Sequence, residues 1–332
     1  MAQSWYEALS AARAAEPGCS ARDAVLRIDK LTLYRYRAIA APARAAPLLI
    51  VYALVNRPTM MDLQPDRSLI RGLLGAGLDV YLLDWGYPDG ADRFLGLGDY
   101  IEDRLDRCVA HVLGTQRLDA LNLLGVCQGG VFALCYAALH AGRVRNLITM
   151  VTPVDFHTPR DLLSKWVRHM DIAALVAGGN VPGETLNQLF LSLMPFRLTQ
   201  QKYVELLSSP PDAARAENFM RLEQWIFDSP DQAGAAFTEF VVGCYQENRL
   251  MRGELEIGGR RVDLIQLAQP ILNLFGTRDH LVPPEASAAL GRLVGSQDYT
   301  ARELDLGHIG MYVSERAQRE VPPAIGRWLA AR

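Results

Sequence analysis

No two of the five cysteines stand at CxxC spacing: Cys19, Cys108, Cys127, Cys135 and Cys244 are scattered and odd in number. That argues against a disulfide framework and against a tetrathiolate zinc site, so no metal centre is expected. Also missing is any apolar run close to the roughly 20 residues that a membrane-spanning helix needs. Stretches such as Pro47 to Val55 are much shorter, and no transmembrane segment is predicted. Neither sign of charge dominates, with 34 Lys and Arg against 37 Asp and Glu and a formal charge of -3. A nucleic-acid partner would normally leave a basic stripe, and its absence argues against one. Met1 to Ala15 contains Glu7, has no Lys or Arg before Arg13 and no long apolar stretch. It lacks the layout of a secretory signal, and the cytoplasm is the expected compartment.

What is present is the composition of a globular protein, 50% hydrophobic and 21% charged. A short helix is predicted over Gln3 to Ala15, then an alternating strand over Val25 to Tyr36 with a turn-like interruption at Lys30. Ala40 to Pro47, rich in Ala and Pro, reads as a linker. Continuous apolar runs follow at Pro47 to Ala53, Asp79 to Leu83, Ala120 to Leu124 and Asn146 to Val151, as suits strands buried on both faces of a parallel sheet. Helix-period segments at Asp66 to Ala76, Leu97 to Leu113 and Gly129 to His140 separate them. This alternation predicts an α/β fold with a mostly parallel, doubly wound sheet. The rhythm breaks over Asp155 to Asp263, which is helix-rich and aromatic apart from a hairpin expected around Gly258 and Gly259. It returns with Pro270 to Phe275, Tyr299 to Leu304 and a last helix over Ser314 to Ala331. The expected organisation is an N-terminal segment, 1–40; a catalytic core, 41–154 and 264–332; and an inserted, helix-rich cap, 155–263.

The sharpest chemical signal is Gly125-Val-Cys127-Gln-Gly129-Gly130 between a strand and an apolar helix. G-x-C-x-G in that context is a nucleophile elbow with cysteine in place of the more usual serine. The glycines clear space at a tight turn, and the amides at the start of the helix favour the thiolate. The other four cysteines read as small buried hydrophobes. A nucleophilic thiol needs a base, and the base an orienting group. Downstream, in the order acid then histidine, stand Asp279 just past a buried strand and His308 between Gly307 and Gly310 after the last strand. His111, His140 and His169 lie in or at the ends of helical segments and read as surface or capping residues. His157 reads as a loop residue, and His280, beside Asp279, as a candidate neighbour of the site.

Developing oxyanion charge calls for two donors. One is expected from the Gln128 amide, and the other from the loop after the Pro47 to Ala53 strand. There Leu54, Val55, Asn56 and Arg57 are candidates, with the Val55 amide favoured and Asn56 as a substrate-binding candidate. A thiol that exchanges acyl groups with a coenzyme A thioester forms another thioester, so the acyl group stays active toward a hydroxyl. That favours a transferase, while a cysteine esterase or thioesterase stays open.

Several motifs together resemble polyhydroxyalkanoate synthases: Val51-Tyr-Ala-Leu-Val-Asn-Arg-Pro58, Asp79-Val-Tyr-Leu-Leu-Asp-Trp-Gly-Tyr-Pro88, Gly125-Val-Cys-Gln-Gly-Gly130, Met150-Val-Thr-Pro-Val-Asp-Phe156, Trp225-Ile-Phe-Asp-Ser-Pro-Asp231, Asp279-His-Leu-Val-Pro-Pro284 and Gly307-His-Ile-Gly310. The short chain and the Gln after the nucleophile resemble the class III catalytic subunit. The resemblance runs from about Val25 to the C-terminus. It implies an α/β-hydrolase fold and polymerisation of 3-hydroxyacyl-coenzyme A, 3-hydroxybutyryl-coenzyme A above all, with release of coenzyme A and no separate cofactor. It implies that Cys127 carries the acyl group and His308 activates the thiol. Asp279 either orients His308 or assists at the substrate's 3-hydroxyl. A second, non-catalytic subunit, a homodimer and a polyester granule surface in the cytoplasm are the implied partners and location. Class IV synthases share these marks, and a catalytically silent granule-binding protein is the remaining alternative.

Overall fold

The structure, a computed structural model, describes residues 5–12, 18–41, 46–193, 200–208, 210 and 212–332. Both ends of the helix expected over Gln3 to Ala15, and residues 42–45 of the expected linker, lie outside them. The helix itself is α1 (Trp5–Ala12). The strand expected over Val25 to Tyr36 is a hairpin, because its interruption is a full reversal: β1 (Arg22–Ile28) and β2 (Leu31–Tyr36) pair antiparallel across a turn with Asp29 at φ 52°.

The apolar runs then form their strands in turn. β3 (Leu48–Val51) leads to a small hairpin of β4 (Asp62–Gln64) and β5 (Arg67–Ser68) and to α2 (Leu69–Gly75). The first residues of the helix expected over Asp66 to Ala76 therefore belong to the hairpin, and Ser68 caps the helix by accepting from the Arg71 amide. β6 (Val80–Asp84) is followed by a π-helical stretch, Asp99–Leu105, that runs into α3 (Asp106–Gln116). β7 (Leu121–Val126), α4 (Gln128–Leu139) and β8 (Val144–Met150) complete the first half.

The inserted stretch holds α5 (Leu162–Val167), α6 (Ile172–Val176), α7 (Gly183–Leu193), α8 (Lys202–Leu207), α9 (Ala213–Phe227), α10 (Gly234–Phe240) and α11 (Arg249–Arg252). The hairpin at Gly258 and Gly259 joins β9 (Glu256–Ile257) to β10 (Arg260–Arg261). The chain closes with β11 (Ile271–Gly276), α12 (Pro284–Ala288), β12 (Tyr299–Leu304), α13 (Gly310–Val313) and α14 (Glu315–Ala330).

The eight strands of the main sheet lie in the order β1-β2-β6-β3-β7-β8-β11-β12. Every neighbouring pair from β6 to β12 is parallel. Each face is covered, which is why the inner parallel strands are mostly apolar rather than alternating, whereas the edge strand β12 is largely unburied. On one face α3 and α4 build a core with Cys108, Val109, Phe132 and Tyr136. On the other, α2 and α14 pack with Leu69, Leu73, Val321 and Ile325. Their approach is close: a methyl group on Gly72 would lie 2.4 Å from Pro322, one of two prolines inside α14. The inserted stretch contributes in several places, Trp225 joining the core beside α14 and Ala216 packing with Ala8 of α1. Ala233, Phe240, Cys244 and Ile257 join the core beneath α4, whereas Leu163, Val167, Ile172, Val181, Leu186 and Phe237 form a separate apolar cluster.

Candidate active site

Cys127 sits between β7 and α4 at φ 53° and ψ −123°, a conformation that a side chain seldom adopts. Packing imposes it. A Cβ at Gly129 would fall 2.3 Å from the Val51 carbonyl oxygen, and one at Gly130 would fall 1.8 Å from Thr152 Oγ1. Only glycine lets the turn lie this tightly against β3 and the end of β8. The Cys127 amide donates to the Met150 carbonyl at 2.9 Å, and its own carbonyl accepts from the Gly130 amide at 2.9 Å. The elbow is thus held by backbone on both sides, while the thiol is part-exposed to a cavity. Cys108, Cys135 and Cys244 differ from it: burial pushes Cys108 and Cys135 up to about 12, and Cys244 well above the ordinary thiol value.

The loops after β11 and β12 bring the expected acid and histidine together. Asp279 Oδ2 and His308 Nδ1 are 2.7 Å apart, and both residues are buried. The other carboxylate oxygen, Oδ1, accepts from the amides of Leu281 and Val282, each at 2.9 Å. Both oxygens of Asp279 are therefore engaged, and its side chain has no exposed surface. Burial by itself disfavours a charged His308. The Asp279 carboxylate and the neighbouring Cys127 sulfur more than offset it and push the imidazole up to about 10.

The other expected residues lie around the same cavity. Val55, Asn56, Gln128 and His280 all line it, with Cys127 and His308. The Gln128 side chain turns back to accept from the Leu54 amide at 2.9 Å, which engages one of the four backbone candidates for the oxyanion site. Asn56, at φ 56°, donates to the carbonyls of Trp225 and Ile226 at 3.3 and 3.2 Å. Arg57 pairs with Asp84 at 2.6 Å and lies over the Tyr87 ring. His157 is exposed and contacts the Tyr245 carbonyl, and His140 contacts Glu102; neither lines the cavity.

The cavity has a volume of about 240 Å³ and is walled on the inserted side by Leu163, Ile172, Val181, Leu186 and Phe237. Sequence reasoning missed four residues here. Trp225 donates from its indole to the Arg57 carbonyl at 2.7 Å, and Asn187 donates to the Ile226 carbonyl at 2.7 Å. Trp225 and Asn56 fasten the end of α9 to the loop after β3, while Asn187 fastens α7 to α9. Tyr52 and Tyr312 flank Cys127 and His308, their rings 6.4 Å apart, and the Tyr312 hydroxyl lies 3.3 Å from His308 Nε2. A signal for Tyr312 was available, since it stands four residues after His308, the spacing that shares a helical face.

Residues 46–314 match the family model described as the alpha/beta hydrolase fold. Among curated proteins, the chain is 56% identical to the poly(3-hydroxyalkanoate) polymerase subunit PhaC of Allochromatium vinosum over 98% of this chain and 93% of that one. It is 52% identical to the subunit of the same name from Thiocystis violacea, over 98% and 92%. Among solved structures it resembles a monoacylglycerol lipase of Paleococcus ferrophilus, with a TM-score of 0.54 and 19% identity over 90% of this chain and 98% of that one, a likeness of fold alone. The chain belongs to the α/β-hydrolase fold family and, within it, to the poly(3-hydroxyalkanoate) polymerase PhaC subunits.

Proposed function

We propose that this chain is the catalytic subunit of a polyhydroxyalkanoate synthase, polymerising 3-hydroxyacyl-coenzyme A, 3-hydroxybutyryl-coenzyme A above all, through a thioester on Cys127. The observation that carries this reading is the Cys127 elbow opening into an apolar cavity beside a buried His308–Asp279 pair. The Asp279 carboxylate beside His308 favours its charged form, which supports an imidazolium next to Cys127. The Cys127 thiolate attacks the substrate's carbonyl carbon, the bond to the coenzyme A sulfur breaks, and that sulfur leaves with the proton from His308. His308 is then neutral. The 3-hydroxyl of an incoming substrate attacks the Cys127 thioester, gives its proton to Nε2, and displaces Cys127 as thiolate. The lengthened chain, now on coenzyme A, returns to Cys127 by the same exchange. Each cycle restores the ion pair and needs no group beyond the substrate.

The engagement of both Asp279 oxygens supports its role as the residue that orients His308, leaving His308 as the base for the hydroxyl step as well. The amide of Gln128, at the start of α4, and the Val55 amide are the proposed oxyanion donors, with the Leu54 amide already engaged by the Gln128 side chain. Exposed Trp166, Tyr203, Val204, Leu207 and Phe227 on the inserted helices offer apolar surface for the second subunit, a dimer or the granule. Among the described residues no helix is long and apolar enough to cross a membrane, which fits attachment to a cytoplasmic granule by surface contact.

Incubating the purified chain with 3-hydroxybutyryl-coenzyme A, while following free thiol and ester product together, tests the reading. Thiol release matched by polymer is expected. Release matched by free hydroxy acid would make the chain a hydrolase, and no release would make it a silent granule protein.

A further inference from the structure

His308 Nε2 has two neighbours in the cavity: the Cys127 sulfur and, at 3.3 Å, the Tyr312 hydroxyl. The Tyr312 ring meets the imidazole edge to face at 5.9 Å, lies 1% exposed, and is carried on α13 one helical turn from His308. The carbonyl of Tyr312 accepts from the Gln318 side chain, so this short helix is tied to α14. Resting on the covalent reading above, we propose that Tyr312 is a positioning residue that holds His308 Nε2 during the half-reaction in which the substrate hydroxyl attacks the Cys127 thioester.

The two half-reactions place different demands on the imidazole. In the resting pair the imidazolium donates to the Cys127 thiolate, and that attraction together with the Asp279 bond fixes the ring. After acylation the sulfur bears neither charge nor proton and is a poor partner, while Nε2 has become a lone-pair acceptor. The Asp279 bond at Nδ1 leaves the ring free to tilt about that contact. A phenol O–H donating to Nε2 restrains the tilt until the substrate hydroxyl arrives and takes its place at that single lone pair. When the hydroxyl's proton passes to Nε2, the same phenol oxygen turns from donor to acceptor. Burial pushes the Tyr312 phenol well above its ordinary value, which keeps its proton in place throughout.

The test separates the half-reactions. Butyryl-coenzyme A lacks a 3-hydroxyl, so coenzyme A release in a single turnover reports acylation alone. Adding 3-hydroxybutyryl-coenzyme A to the isolated acyl-enzyme reports hydroxyl attack through loss of the label from Cys127. In Tyr312→Phe, hydroxyl attack is expected to fall about tenfold, the scale of one lost hydrogen bond, with acylation changed less than about threefold. Tyr312→Met, which also lacks the hydroxyl, should show the same partition if the Phe variant does not fold. Equal losses in both half-reactions, a larger loss in acylation, or two unchanged rates would each overturn the inference. If the wild-type chain takes no butyryl group onto Cys127, the covalent reading itself fails and this inference with it.

Discussion

The two walls of the cavity are made differently. On the sheet side a methyl group on Gly129 or Gly130 would collide with neighbouring atoms, and Cys127 is tied by its backbone to β8 and to α4. On the inserted side Leu163, Val167, Ile172, Val181 and Leu186 meet as apolar side chains, and the polar ties to the core come from outside that cluster, among them Trp225 to the Arg57 carbonyl, Asn56 to the carbonyls of Trp225 and Ile226, Arg221 to the Leu63 carbonyl and the Leu97 amide to Glu239. A wall of interlocked backbone has one arrangement, whereas an apolar wall can re-pack at small cost. The reacting atoms therefore sit where position is fixed. The substrate's body meets a wall that can shift.

Breaking the fixed wall should have the larger effects. His308→Gln, which removes the base but not the elbow, should lower coenzyme A release about 10²–10⁴-fold in steady state. Asp279→Asn should lower acylation and hydroxyl attack by equal factors, as an orienting residue requires; a variant that acylates normally yet elongates poorly would return Asp279 to the hydroxyl step. Gly130→Ala should cost about 1–3 kcal/mol or more in urea unfolding, because the methyl group must displace Thr152. The adaptable wall should give less. Trp225→Phe leaves the Arg57 carbonyl without its indole donor and should cost about 1 kcal/mol. Hydrogen exchange should then rise across α9 and leave α4 unchanged, and equal exchange in both would erase the distinction between the walls.

The smallest predicted effect is electrostatic. His308 is raised above the ordinary histidine value of 6.5, to about 10, so its contribution to stability is fully present below about 6.5 and is lost as pH rises toward 10. The difference in unfolding free energy between wild type and His308→Gln should accordingly be larger at pH 6 than at pH 9.5. An unchanged or reversed difference would show that His308 is not held charged.

The fixed wall was also the legible one. A nucleophile elbow constrains every residue around it, so Gly125, Cys127, Gly129 and Gly130 announce the turn in a line of sequence. Asp279 follows the buried strand β11 and His308 the last strand, where chain order suggests their use. The inner parallel strands were legible for the same reason, since burial on both faces favours an apolar run. The hairpin at Asp29 and Lys30 was only half visible, because a reversal without Gly or Pro resembles an irregularity within one strand. Trp225 could not be read as a tie to the loop after β3, nor Asn187 as a tie between α7 and α9. Their partners are backbone carbonyls 168 and 39 residues away, and such contacts leave no mark in residue type or spacing. Tyr312 lay between these cases, carrying a helical spacing to His308 but no chemical pattern that singled it out.

The covalent role of Cys127 is tested most directly by trapping. Brief exposure of the chain to labelled butyryl-coenzyme A, followed by acid quench, proteolysis and mass spectrometry, should place one acyl group on the peptide bearing Cys127. Cys127→Ala should take up none and release no coenzyme A while unfolding as wild type does. An acyl group on any other residue, or undiminished coenzyme A release by Cys127→Ala, would contradict the account.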